Sequence, residues 1–308
     1  MVKLPVDKAL LKARSHIKRG KIAEAEILYK SVLKAFPTNK KAKQGLAGLK
    51  NPPKTAINLK LPQEAIEKLV RFYNTGRLEL VIEKAQKLTK IYPEEFVVWN
   101  LLGAASAGLG KVVEASQAFK RVIEINPKFA DGYNNFGLAC QQLGRREEAI
   151  KAYTIALKLN PNYASAYNNL GNTLKEIGNL EEAIKAYKKA LSLEPNYATG
   201  HNNLGNALKD QGKLDEAITA FNKALHLEAD NAATYNNIGL TLKDQGKLEK
   251  AKESFNRALS LKSDYAKAHR NLSTLVKYKP GNRQIKSVDQ LLKRADTNDG
   301  DKCRLHYA

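Results

Sequence analysis

ASAYNNLGNTLKEIGNLEEAIKAYKKALSLEPNY, residues 164–197, runs without a break into ATGHNNLGNALKDQGKLDEAITAFNKALHLEADN, residues 198–231. Set one above the other, these 34-residue strings agree at Asn169 and Asn203, Gly171 and Gly205, Gly178 and Gly212, Ala183 and Ala217, and Ala190 and Ala224. The same step continues outward. Asn-Asn, an apolar residue and Gly recur at 134–137, 168–171, 202–205 and 236–239, and a ring recurs at Tyr153, Tyr187, Phe221 and Phe255. A period shared by so many positions marks a tandem array, in which no unit buries its apolar face alone and neighbours must stack.

Count places 1 to 34 from residues 96, 130, 164, 198 and 232. Places 4, 7, 8 and 11 fall on one side of a helix that turns ~100° per residue. Gly at place 15 permits a tight turn. Places 20, 24 and 27 form the apolar stripe of a second helix, and a Pro near the end of the unit stops it. The chain is therefore predicted to be all-α, built from helix-turn-helix units.

This pattern resembles the tetratricopeptide repeat (TPR). Residues 96–129 carry it in Trp99, Leu102, Gly103, Gly110, Ala115, Phe119 and Pro127. Residues 130–163 and 164–197 end on Pro161 and Pro195, whereas 198–231 and 232–265 have Ala229 and Ser263 there. Residues 62–95 match less fully, through Phe72, Gly76, Ala85 and Pro93, and residues 6–39 through Gly20, Ala25, Tyr29 and Pro37. The resemblance implies a right-handed superhelix, an α-solenoid of about seven repeats followed by C-terminal helices.

The expected organisation is a hairpin with an extra helix over 1–50, then a linker over 51–61 marked by Pro52 and Pro53. A solenoid follows over 62–278, with repeats 62–95, 96–129, 130–163, 164–197, 198–231 and 232–265 and a capping helix 266–278. A basic segment, 279–308, closes the sequence and reads as truncated. Lys279-Pro280-Gly281-Asn282 breaks the chain, a helix is expected around Ser287–Lys293, and Asp296–Asp301 reads as a polar turn.

Composition narrows the function classes. The net charge of +21 is concentrated at the ends: residues 1–61 hold 15 Lys/Arg against 3 acids, residues 62–265 hold 27 against 24, and residues 266–308 hold 10 against 4. Basic ends favour an acidic partner, or they are solvated faces that keep the protein in solution. No apolar run approaches the ~18 residues of a membrane span, and the N-terminus carries charges where a signal peptide would be apolar. Cys140 and Cys303 make neither a disulfide framework nor a zinc pattern, so a cytoplasmic location is expected.

Binding is expected on the first helices, where places 2, 5, 6, 9, 12 and 13 lie opposite the core side; the TPR resemblance puts this side on the concave face. Asn135, Asn169, Asn203, Asn237 and Asn271 occupy place 6 at one step. Asn is a poor mid-helix residue, and an amide offers donors and an acceptor to any extended peptide backbone. The competing reading is that these amides bond between repeats or to water. Asn134, Asn168, Asn202 and Asn236 at place 5 and Lys175, Lys209 and Lys243 at place 12 complete the candidate peptide-binding set. Glu176, Asp210 and Asp244 follow at place 13, so the lysines also suit simple charge pairing. Place 5 lacks the Lys with which TPR domains that bind chaperone tails clamp a carboxylate.

No residue reads as catalytic. Cys140 sits at core place 11, and His201 and His269 take place 4, where a packing ring is expected. The stretch at 296–301 has its Gly one position early for a calcium loop, and Tyr307 stands where a Glu is required. There is no phosphate-binding or dinucleotide glycine motif. No cofactor or metal is expected. The predicted function is a protein-interaction scaffold holding a protein or extended peptide, rather than membrane or nucleic acid, since no aromatics interleave with the basic residues. An alternative comes from two resemblances. The place-6 row is similar to the asparagine ladder in the TPR arms of O-linked N-acetylglucosamine transferases. Ala268–Ser273 with Tyr278 and Gly281-Asn282 resembles the segment joining TPR arrays to sulfotransferase domains in bacterial proteins. Together they imply the recognition arm of a larger transferase.

Overall fold

The Gly at place 15 decides where each first helix stops. In a computed structural model, which describes residues 6–18, 22–50, 61–276, 283–293 and 300, Gly76, Gly110, Gly144, Gly178, Gly212 and Gly246 all have φ between 71° and 81°. Around Gly178 the amide of Asn179 donates to the carbonyl of Leu174 at 2.9 Å, and that of Gly178 to Lys175 at 3.0 Å. This Schellman arrangement satisfies the last carbonyls of the helix, and only Gly adopts the left-handed turn without a Cβ penalty.

Among the described residues there are seventeen helices and no strand. They fall into two compact units, Met1–Val98 and Trp99–Ala308. The first holds α1 (Val6–Lys18), α2 (Ile22–Ala35), α3 (Lys40–Lys50), α4 (Gln63–Asn74) and α5 (Leu78–Ile91). Tyr29 of α2 is 2% exposed and packs with Ala9, Leu10, Ala13 and Ala42 of its neighbours. α3 takes the place of a following first helix, with Asn39 accepting from the amide of Ala42 at 2.9 Å as its cap. α4 and α5 form a separate hairpin.

The second unit begins within α6 (Phe96–Gly108). It continues through α7 (Val112–Ile125), α8 (Ala130–Gln142), α9 (Arg146–Leu159), α10 (Ala164–Glu176), α11 (Leu180–Leu193), α12 (Ala198–Asp210) and α13 (Leu214–Leu227). α14 (Ala232–Asp244), α15 (Leu248–Leu261), α16 (Ala266–Ser273) and α17 (Arg283–Lys293) complete it. Each hairpin is locked by the ring at place 24. Tyr153, Tyr187, Phe221 and Phe255 have no exposed surface. They lie flat on Gly137, Gly171, Gly205 and Gly239, where a Cβ would fall 2.5–2.7 Å from the nearest ring carbon. Burying such a ring stabilises by roughly 1.5–3 kcal/mol.

Each second helix packs on the next first helix, so the units stack into a solenoid. First helices of successive units also touch one another, α8 with α10, α10 with α12, α12 with α14 and α14 with α16; among the described residues no pair of second helices does so to that extent. The first helices thus form the crowded inner side and the second helices the open outer side.

Three expectations change. Pro does not set the end of the second helix: α13 and α15 stop at Leu227 and Leu261 ahead of Ala229 and Ser263, in step with α11 at Leu193 ahead of Pro195. Contact with the following first helix fixes the turn instead. The helix from Ala266 ends at Ser273 rather than 278, and α17 starts at Arg283 rather than near Ser287. α17 sets Val288 and Leu291 against Ala266 of α16. The expected linker over 51–61 lies outside the described residues except for Leu61, the breaker at 279–282 lies outside them altogether, and of the turn expected at Asp296–Asp301 only Gly300 is described.

Candidate functional site

Crowding of the inner side buries more of each first helix than a one-sided apolar stripe would. Places 3 and 10 are filled by small buried residues such as Ala166, Thr173, Gly200 and Ala207. Their size lets adjacent first helices approach. Place 5 falls into the same seam: Asn134, Asn168 and Asn236 are 8%, 4% and 3% exposed, and Asn202 is half-buried.

In that seam the asparagines bond to one another. The side-chain amide at place 6 donates to the carbonyl oxygen at place 5 of the preceding unit. Asn169 reaches Asn134 at 3.1 Å, Asn203 reaches Asn168 at 2.9 Å, Asn237 reaches Asn202 at 3.2 Å and Asn271 reaches Asn236 at 2.8 Å. Asn135 donates to Asn100 at 3.4 Å. Asn100 is therefore the first acceptor of the row, a residue missed in the sequence because Leu101 breaks the place-6 pattern beside it. Thr234, fully buried, adds its hydroxyl to the Asn202 oxygen at 3.2 Å.

The structure thus separates the two asparagine rows. Place 5 is an acceptor inside the seam, closed off from the inner surface at Asn134, Asn168 and Asn236 and half-buried at Asn202, because a first helix meets neighbours on both sides and not only its own partner helix. Place 6 is half-buried in all five units. One of its N–H groups is held by the neighbour, which fixes the amide plane. Each amide has a second N–H and two carbonyl lone pairs beyond that bond, although in Asn135 one lone pair accepts from the Asn134 side chain at 3.4 Å.

The charged row is also cross-linked along the array. Lys175 pairs with Asp210 of the next unit at 3.4 Å, and Lys209 with the adjacent Asp210 at 3.4 Å. Lys243 donates to the Thr274 hydroxyl at 2.9 Å. Glu176 accepts from Gln141 at 2.7 Å and pairs with Arg146 at 3.1 Å. These contacts are half-exposed, where an ion pair contributes ~0–1 kcal/mol. Beside them, at place 9, Asn172 accepts from the buried Tyr187 hydroxyl at 2.7 Å.

Other titratable groups serve packing. Cys140 is fully buried, and burial pushes its thiol above the usual range, so it stays protonated. His201 and His269 bond through Nε2 to the carbonyls of Pro195 and Ser263, each at 2.9 Å. Burial holds the His269 imidazole below its ordinary value, against a smaller opposing pull from that carbonyl and Asp264. No group of three His, Cys, Asp or Glu able to hold a metal occurs among the described residues, and no described helix is long and apolar enough to cross a membrane.

Comparison with known proteins adds the following. Residues 137–178, 171–212 and 205–246 match a family model described as TPR repeat. Residues 232–265 and 97–129 match models of the tetratricopeptide repeat. No curated protein matches the sequence. Among solved structures, the APC/C hetero-tetramer Cut9-Hcn1 is similar over 97% of this chain and 54% of that one, at 20% identity and a TM-score of 0.60. Pseudomonas aeruginosa pilF is similar over 68% of this chain and 96% of that one, at 16% identity and a TM-score of 0.60. MamA protein is similar over 61% and 100%, at 24% identity and a TM-score of 0.50. At these identities the likeness is one of fold.

Proposed function

We propose that this chain, which carries tetratricopeptide repeats across residues 97–129 and 137–265, is a protein-interaction scaffold that holds an extended peptide segment along its inner helices. The observation that supports this reading is the row of place-6 amides. Asn135, Asn169, Asn203, Asn237 and Asn271 stand one per unit, half-buried and fixed in orientation by the bond each donates to the unit before it. A fixed amide loses little entropy when it pairs with a peptide backbone, which is how preorganisation raises affinity. Because the contact is to backbone, the row tolerates many side-chain sequences. Specificity then falls to place 9, where Leu138, Asn172, Asn206 and Leu240 differ from unit to unit.

The test is selection of peptides from a random display library on the full chain, followed by titration against an Asn169→Ala, Asn203→Ala, Asn237→Ala variant shown by circular dichroism to keep its helices. Selected peptides are expected to share little sequence and to bind the variant at least ~10-fold more weakly, about 1.4 kcal/mol. Equal binding to the folded variant would remove the amide row from the account. The alternative, a recognition arm of a larger glycosyl- or sulfotransferase, draws on the same row and requires the same grip on a peptide, so this experiment precedes any search for a catalytic partner domain.

A further inference from the structure

The outer side of the second unit holds a cleft of about 670 Å³ between α11 and α13, floored by α12. Its origin is one departure from the repeat. Place 4 is a large ring in Trp99, Tyr133, Tyr167 and Tyr235, but in this unit it is His201. In two units that ring lies under an arginine from place 26: Arg121 is 6.0 Å from the Trp99 centroid, and Arg257 is 5.8 Å from that of Tyr235. Here the cation at place 26 is kept, as Lys223, while the ring beneath it is replaced. The imidazole is drawn back by its bond to the Pro195 carbonyl and is only 8% exposed. What remains is a hollow walled by Leu191 and Leu227, floored by Leu204 and Leu208, with a lysine standing over it.

The rim is cationic. Two cations, Lys188 and Lys223, and the ring N–H of His226 border the cleft against one acid, Glu216. Both lysines are exposed, and neither forms an ion pair among the described residues. From Glu216 to Leu227 the wall runs ~16 Å along α13, the span of about five extended residues. The volume lies within the ~300–1,000 Å³ of ordinary ligand clefts.

We propose that this cleft is a second docking site, separate from the inner amide row, for a short extended segment of a partner protein in which an aromatic ring is flanked by carboxylates. The ring enters where Tyr235 sits in the next unit, resting on Leu204 and Leu208 with Lys223 over its face, a cation–π contact that the fold already builds twice. The flanking carboxylates meet Lys188 and His226. The array then grips two segments on opposite faces.

The probe is the acetylated, amidated pentapeptide Asp-Glu-Phe-Glu-Asp, titrated into the isotope-labelled full chain and followed by amide chemical shifts. His201→Tyr installs the ring that neighbouring units carry, so that variant is expected to melt no lower than the parent while binding the probe at least ~10-fold more weakly. Lys223→Glu, on an exposed side chain, is expected to weaken binding similarly. Shifts should cluster on α11 and α13, and Asp-Glu-Ala-Glu-Asp should bind at least ~10-fold more weakly than the parent peptide. Binding within twofold in both variants, shifts confined to the inner side, equal affinity for the alanine peptide, or no saturation at about millimolar probe would each overturn the proposal. The Asn169, Asn203, Asn237 variant separates the two sites: it is expected to leave this titration unchanged.

Discussion

The bond between Asn203 and Asn168 can be measured as a coupling. Asn203→Ala removes the donor and strands the Asn168 oxygen, which is 4% exposed. A stranded buried acceptor costs ~1–3 kcal/mol, offset by the ~0.5 kcal/mol by which Ala is the better helix former. The expected loss is about 1–2 kcal/mol. Asn168→Ala loses the same bond, but the half-buried Asn203 amide turns to water; a small cavity replaces the stranded oxygen as the main cost, again about 1–2 kcal/mol. In the double variant the bond is lost once and nothing is stranded. The coupling energy is therefore expected at ~1–2 kcal/mol from urea unfolding followed by circular dichroism, with the slope against urea unchanged. Asn206→Ala, at place 9, is the control and should stay within ~0.5 kcal/mol. If the single-variant losses add to within ~0.3–0.5 kcal/mol, the amides only fill space, and their preorganisation falls with the coupling.

Three further outcomes are expected. Gly171→Ala drives a Cβ to 2.7 Å from the Tyr187 ring, which has no exposed surface and is tied to Asn172; thermal melts should show a loss of roughly 1–3 kcal/mol despite the better helix former. Pro195→Ala should leave α11 ending at Leu193 by amide exchange and lower stability by no more than about 1 kcal/mol, since two units already lack the ring. His269 has its folded-state pKa lowered, first by burial. Below its ordinary value of 6.5 the unfolded chain binds a proton that the folded chain resists, so stability contributed by the neutral imidazole is present above that pH and is lost as pH falls through the folded value. His269→Tyr should flatten that acid limb of the melting curve; an unchanged limb would assign it to other groups.

The hairpins were legible because their signals are local. A Gly at place 8 faces the ring at place 24, as Gly171 faces Tyr187, and a Gly at place 15 ends the first helix; both follow from steric limits within one unit. The burial of Asn134, Asn168 and Asn236 was not legible. A helical wheel assumes one buried side, whereas these helices meet neighbours on several. Asn residues spaced 35 apart that bond across units look, in one unit, like two adjacent polar residues on a wet face. The full length of α17 is not legible because the ring position of that unit holds Asp289, so the strongest marker of a second helix is missing although the spacing from α16 keeps the period. His201 packs as its place in the repeat requires, but the space that its smaller ring leaves has no signal in the sequence.

The asparagine seam also makes the array indifferent to its own length. Each unit offers a donor backward and an acceptor forward, like a monomer with unlike ends. Excising or duplicating one whole 34-residue unit rejoins a donor to an acceptor of the same kind and breaks no bond. Growth of this sort needs terminators, and the chain has them: Leu101 cannot donate behind Asn100, and Arg270 cannot accept beyond Asn271. Between those stops, recombination can lengthen or shorten the row while every joint keeps its amide-to-amide bond.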